Sequence, residues 1–233
     1  MFDYNELKDP TEYAQMKEAL LGTAAVLEGQ NLEQLAETYD TLLCLAFLER
    51  ASRSSVKIDP FDTMAYMIDW LRSTDFYTAP ASTQYHESHP GGLLLHSLKV
   101  YNKAMSLRAL PEFKSVQLAS LVIVALVHDW CKIGMYTTYQ KNVKNEKTGA
   151  WEKKTAYKRE QKGLTLGHGI TSMYLINQFL PLNVDEALAI RWHMSHWDVS
   201  DVQVNELQAS NENYPLVHLL QFADQLSITT YAN

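Results

Sequence analysis

Cysteine is scarce in this chain: Cys44 and Cys131 are the only two in 233 residues, and they form no Cys-x-x-Cys pair. A disulfide scaffold and a thiolate zinc site are thereby excluded, and a reducing compartment is expected. Glycine and proline are also few, at 9 and 7, which excludes collagen-like and low-complexity chains. Long hydrophobic runs are missing. The longest clean apolar stretch, 121–127, falls far short of a membrane span. The first ten residues hold Asp3, Glu6, Lys8 and Asp9 without an apolar core, so no signal peptide is legible. A soluble cytoplasmic protein with no membrane partner is expected. An excess of positive charge is lacking too, since the formal net charge is −7, which argues against a general nucleic-acid binder. What the chain does have is a 46% hydrophobic fraction and a 20% charged fraction, ordinary for a sequence that buries a real core within one domain.

The charge is unevenly spread. Residues 140–162 hold eight Lys/Arg and three Glu, a local +5 that leaves −12 for the rest. Such a basic segment reads as a solvated surface, or as an attractant for a phosphorylated substrate if it folds over a site. Apolar residues at three- and four-residue spacing predict helices over 11–28 and 31–53, with Asn31 as N-cap. A shorter helix opens at Asp59-Pro60 and runs through Leu71. Residues 78–92 read as a loop, with Pro80, Pro90 and Gly91-Gly92. Helices follow over 93–108 and 114–131, the second almost wholly apolar from Leu118 and therefore central. Two Thr/Tyr-rich stretches, at Tyr136 to Tyr139 and Lys154 to Tyr157, flank Lys147-Thr-Gly149. They predict a β-hairpin inserted at about 136–162. Helices resume over 170–180, 184–197 and 215–229. The fold class expected is all-α with one small β-hairpin, a single domain over 1–233 in which the helices of 1–80 pack on a core formed by 81–233.

The informative residues are polar side chains on helix faces that ought to be apolar. His96 shares its side of a helix with Leu93, Val100, Ala104 and Leu107. His128-Asp129 ends the most hydrophobic helix of the chain. Asp224 lies beside Leu216, Leu220 and Ser227. A buried carboxylate without a partner is expensive, so each must find a cation or a set of donors. One core histidine reads as a hydrogen-bonded packing residue, and one aspartate on an apolar face as a cap, a salt bridge or a site. Four such residues on three helices point together to a bound metal cation, because imidazole and carboxylate suit Mn, Fe, Co, Ni, Zn or Mg-like ions.

The order His96, adjacent His128-Asp129, then distant Asp224 resembles the HD superfamily of metal-dependent phosphohydrolases. Gly91-Gly-Leu-Leu-Leu-His-Ser-Leu-Lys-Val100 is similar to the first-histidine helix of members with a Gly-Gly-Leu-Leu-x-His-Ser-Leu stretch. Val127-His-Asp-Trp-Cys-Lys132 resembles the His-Asp-x-x-Lys signature, with Cys131 where glycine is common. Phe222-Ala-Asp-Gln-Leu226 resembles the final-aspartate helix. The resemblance spans 83–227 and implies an HD-domain helical bundle in which His96, His128, Asp129 and Asp224 bind one divalent ion. It further implies a second metal, held by His168 of Gly167-His-Gly169 and by His193, with Asp129 bridging both ions. This chain departs from the commonest form, which has two adjacent histidines where His193-Met194 stand. His196 is a candidate for the missing ligand or for a substrate contact, or else a surface residue. The Gly-Tyr-Pro sequence of the cyclic-di-nucleotide branch is replaced here by Trp197-Asp-Val-Ser-Asp201, so that branch is not expected.

What the resemblance implies is hydrolysis of a phosphate ester of a nucleotide, or of a similar small phosphorylated metabolite, by a metal-bound hydroxide. Asp129 and Lys132 would carry the chemistry, with Lys132 stabilising negative charge on the phosphate. Alternatively, Lys132 is only a helix C-terminal charge. His86 and His89 are candidate substrate contacts, and Asp198, Tyr136, Tyr139 and Trp151 weaker candidates for a pocket wall. A closed acidic pocket is expected. Two other functions stay open: a phosphodiesterase or 3′→5′ exonuclease on oligonucleotides, favoured by the basic hairpin alone, and a non-catalytic HD-type signalling or binding module with a structural metal.

Overall fold

Helix starts in this chain coincide with side chains that satisfy the first free N–H groups. In the computed structural model, which describes residues 2–53, 59–160 and 164–229, Asp9 accepts from the backbone of Thr11 and Glu12 and opens α1 (Pro10–Leu20). Asn31 and Gln34 form a capping box on α2 (Leu32–Ala51), and Asp59 caps α3 (Pro60–Arg72). Helix α4 (Gly92–Arg108) starts without a side-chain cap. Gly91 there is left-handed at φ 76°, and a Cβ on Gly92 would lie 1.9 Å from the Glu87 carbonyl oxygen. Only glycine lets this helix end press against the preceding loop. The order continues with α5 (Leu118–Val127), strands β1 (Tyr136–Lys144) and β2 (Trp151–Arg159), α6 (His168–Ile176), α7 (Val184–Trp192), α8 (Val204–Asn213) and α9 (Pro215–Ile228).

Helix α5 is the spine. Every residue from Ala119 to Val127 is buried, and α2, α4 and α7 pack around it. The Tyr39 hydroxyl of α2 donates to the Leu126 carbonyl at 2.8 Å and receives the Trp130 indole N–H at 2.9 Å. One cluster of buried side chains draws on α2, α3, α4, α5, α7 and α9, each fully buried aliphatic contributing about 1.5–3 kcal/mol. Helix α9 lies along α4 and α7, bringing the C-terminal part of the chain beside the helix that carries His96. The two strands pair antiparallel from Tyr136↔Arg159 to Lys144↔Trp151 and are mostly exposed on both faces. Among the described residues, no helix is long and apolar enough to cross a membrane.

The architecture is mostly α-helical with one small antiparallel hairpin, as the patterning predicts, but several bounds differ. The helix expected over 11–28 stops at Leu20, where Leu21 turns extended. None of its residues is buried, so packing does not prolong it. The helix expected over 114–131 is only Leu118–Val127. Asp129 leaves helical geometry at φ −104°, ψ 15°, and Trp130–Lys132 form a 3-10 turn. The helix expected over 184–197 ends at Trp192, and Ser195 adopts φ 50°. Helix α8 was not legible, being polar with only Leu207 and Ser210 buried. The last residues of the expected hairpin, 161–162, lie outside the described residues.

Candidate metal centre

Two helix C-termini converge here, and a histidine caps each. His128 follows α5 and His193 follows α7. Their Nδ1 atoms lie 2.9 Å from the Ala125 carbonyl and 2.7 Å from the Ile190 carbonyl. A carbonyl only accepts, so both Nδ1 atoms carry a proton, and in a neutral ring the Nε2 lone pair is then the one turned to the site. The same holds for His96. Its Nδ1 is 3.3 Å from Ser227 Oγ, whose own hydrogen goes to the Asp224 carbonyl at 2.7 Å. The helix ends add partial negative charge toward the same point.

The lone pairs meet. His96 Nε2 and His128 Nε2 are 3.3 Å apart, and His193 Nε2 is buried with no hydrogen-bond partner among the described residues. Asp129 stands between the groups. Its Oδ2 is 3.2 Å from His96 Nε2, 3.5 Å from His128 Nε2 and 2.6 Å from Lys132 Nζ. Its Oδ1 is 2.7 Å from His168 Nε2 and 3.6 Å from His193 Nε2. Asp224 Oδ1 closes the set at 3.3 Å from His96 Nε2. Imidazole lone pairs facing one another and two carboxylates, on side chains largely withdrawn from solvent, are unfavourable without positive charge. The donor set fits a divalent cation. Three subsets bring ligand atoms within 4.8 Å of one another: His96, His128 and Asp129; His128, His193 and Asp224; and Asp129, Cys131 and His168.

Local sequence explains how the far ligands arrive. A Cβ on Gly169 would lie 2.3 Å from the Arg191 carbonyl oxygen, so glycine lets the start of α6 press on the end of α7. That contact sets the His168 and His193 ring centroids 5.1 Å apart.

Electrostatics describe the same demand for positive charge. Burial opposes the Asp129 charge, yet Lys132 and His128 hold its carboxyl far below the usual range. Asp224 is lowered against its burial by His96. Burial works against the Lys132 charge and is outweighed by Asp129, which raises that ammonium. His96 is raised despite burial by Asp129 and Asp224, which draw a proton onto its Nε2 at the place a metal cation would take. His168 is pushed up to about 9, Cys131 and Asp129 overcoming burial.

The cluster floors a cavity of about 690 Å³, whose walls include His86, Lys132, Tyr136, Arg159 and Met194. The expected closed acidic pocket is corrected. The cleft is open to solvent, with Tyr85 and Trp197 of its lining 81% and 86% exposed, and the cations Lys132 and Arg159 line it along with the acids. His86 lines the wall with its Nε2 buried and unpartnered. Burial, then the charges of His96 and Lys132, push its pKa down to about 4.

Six residues expected as ligands, His96, His128, Asp129, Asp224, His168 and His193, are thus brought together. His196 is not: it is exposed on the turn Ser195–Asp198 and is not among the residues lining the cleft. The turn that ends α7 points it away. His89 is exposed and bonded to Glu87 at 2.6 Å, and Asp198 lies 3.6 Å from Arg191. Sequence reasoning placed Ser227 beside Asp224 but missed that it orients His96, and it missed the carbonyls that orient His128 and His193, three residues before each. It also missed Tyr85 and Arg159, whose positions depend on loop and strand ends. No protein-family model matches the chain, and no curated protein or solved structure matches it.

Proposed function

We propose that the protein is a metal-dependent phosphohydrolase of the HD superfamily, hydrolysing a phosphate ester of a nucleotide or a similar small phosphorylated metabolite. The observation that carries this reading is the convergence of three imidazole lone pairs with Asp129 and Asp224 on the floor of an open cleft, beside a buried lysine. His96, His128, Asp129 and Asp224 would hold one divalent ion, and His168 and His193 would serve a second that shares Asp129; Mn, Fe, Ni, Co, Zn and Mg are the candidates. Such ions, when bound, polarise phosphoryl oxygens and lower the pKa of a water.

The chain's own residues prepare the substrate. Asp129 is held by Lys132 at 2.6 Å and His168 at 2.7 Å, so each of its oxygens keeps a fixed aim. Lys132 directs one N–H at Asp129, and its ammonium lines the cleft. Its other protons stabilise negative charge as it grows on phosphate oxygens. His86 and Arg159 line the same cleft and would hydrogen-bond the phosphate there. In the reaction, water adds to phosphorus, the ester P–O bond breaks, and the departing oxygen takes up a proton.

The test is turnover by metal-loaded protein of nucleoside mono-, di- and triphosphates, cyclic nucleotides and bis(p-nitrophenyl) phosphate. Activity with at least one of Mn, Ni, Co and Mg, and its loss in Asp129→Ala, is the expected result. Silence on every substrate with every metal overturns the reading in favour of a non-catalytic binding module.

A further inference from the structure

Beyond Arg159 at its base, the hydrolase reading makes no use of the long basic hairpin, yet the hairpin is rooted in the wall of the cleft. Residues paired directly across an antiparallel ribbon share one face. The register puts Tyr136, Tyr157 and Trp151 on one face, interleaved with Arg159, Lys153 and Lys144, and no acid stands among them. The other face carries Lys141, Lys154 and Lys158 together with Glu152, and one aromatic residue, Tyr139. The two faces differ in chemistry, not in charge alone.

The first face is continuous with the cleft. Its basal pair, Tyr136 and Arg159, lines the cavity above the histidines. From there nine paired residues extend outward, a reach of about 30 Å at about 3.3 Å per residue. Trp151, at the far end, is 72% exposed. Tyr85 and Trp197 stand still more exposed at the cleft mouth. A large aromatic ring left in water is costly surface, and several of them in line with cations mark a surface shaped for a ligand with flat faces and negative charge.

We propose that this face is a track for single-stranded nucleic acid, leading one nucleotide of the strand into the cleft. The phosphodiester backbone supplies the negative charge that Lys144, Lys153 and Arg159 need. Unstacked bases supply the flat faces for Trp151, Tyr157 and Tyr136. A duplex keeps its base faces hidden, an acidic peptide would use the lysines but leave the interleaved rings without a role, and an anionic membrane could take Trp151 at the tip but not Tyr136, which lines the cleft. The rest of the chain carries a net charge of −12, which disfavours a strand away from the ribbon. This inference rests on the phosphohydrolase reading for what happens in the cleft, while strand binding is measured without any turnover.

The experiment is fluorescence anisotropy of short labelled oligo-dT and oligo-U on the full chain, across about 50 to 200 mM salt. Single strands are expected to bind at least about tenfold tighter than a mononucleotide or a duplex of equal length, since stacking adds to the backbone contacts. The double variant Lys144→Ala/Lys153→Ala lowers the slope of log affinity against log salt by about 1.4, two contacts at about 0.7 each. Lys141→Ala/Lys154→Ala removes the same charge from the opposite face and changes affinity by less than about twofold, because those lysines neutralise no phosphate of a strand bound on the other side. Trp151→Ala weakens binding at least about fivefold, and Trp151→Phe restores it. All these side chains lie on the ribbon away from the core, so melting temperatures should match the parent. Equal weakening by the two double variants overturns the track, and so does equal affinity for single strands, duplex, poly-glutamate and anionic vesicles. Turnover of a mononucleotide ester without strand binding sinks the track and leaves the hydrolase. Strand binding without turnover under any metal does the reverse.

Discussion

Asp40 and Asp129 are both carboxylates closed off from water, at 1% and 2% exposure, yet their surroundings differ in kind. Asp40, on α2, accepts from the Arg72 guanidinium at 2.8 Å and from the Tyr77 hydroxyl. Every partner is a donor and the charge is matched within the protein. Burial still lifts its pKa above the usual value, against the pull of Tyr77 and Arg72. Glu186 is similar, held by Arg50 at 2.8 Å and Ser120 at 2.6 Å. Asp129 has donors in Lys132 and His168, but it also faces His96, His128 and His193, which have already committed their N–H groups to a hydroxyl and two carbonyls. A buried acid alone therefore says little. A buried acid surrounded by other lone pairs asks for a cation.

Substitution at these two sites separates the roles. The largest effect belongs to Asp129→Ala, which should remove bound metal and reduce hydrolysis by more than about 100-fold, beyond the loss typical of partners that only support a ligand. Metal analysis and turnover on the same sample check this. Asp40→Ala should instead destabilise by about 3–5 kcal/mol through the stranded Arg72 charge, with metal content per folded molecule unchanged. Denaturant melts reporting the opposite assignment would invert the comparison.

Metal titration sharpens it further. At a free metal concentration of about a hundred times Kd, the folded state gains about 2.7 kcal/mol, seen as a rise in Tm. Asp40→Asn should show the full rise and Asp129→Ala none. Lys132→Met is expected to lower turnover by about 10- to 100-fold while metal still binds. An unchanged turnover would reduce Lys132 to a helix-end charge. The smallest effect lies at Glu49, whose carboxyl is lowered by Lys17 and Arg53. A depressed carboxyl contributes stability that is present above its unfolded value and lost as pH falls through the folded one. Glu49→Gln should flatten the loss of stability below the ordinary value of 4.5, by less than about 1 kcal/mol for so exposed a pair. Urea melts across acid pH read this directly.

Fold class was legible because most helices carry apolar spacing and a cap within a few residues, as at Asn31 and Asp59. The hairpin was legible from its Thr/Tyr content around a turn. Helix ends were not, since 114–131 and 184–197 continue to read as helix while the chain breaks at Asp129 and after Trp192. Those breaks carry the site: leaving the helix at Asp129 turns its carboxylate toward His168 on another element. Helix α8 escaped notice because its exposed residues have no apolar stripe to read.

His96, His128, Asp129 and Asp224 could be picked out from residue type and position along the chain, because a polar group on an apolar face is visible without coordinates, whereas His168 and His193 were reached only through the resemblance to a known family. The sequence placed His193 in the ligand set but left His196, three residues on, open as a ligand, a substrate contact or a surface residue. That choice depends on which helix end each ring meets and on how closely Gly169 lets α6 approach α7. Nor could it distinguish the two faces of the ribbon, since composition counts lysines and only strand register assigns them to a side. Local chemistry is encoded in neighbouring residues, whereas convergence and facing depend on backbone paths set by packing between distant ones.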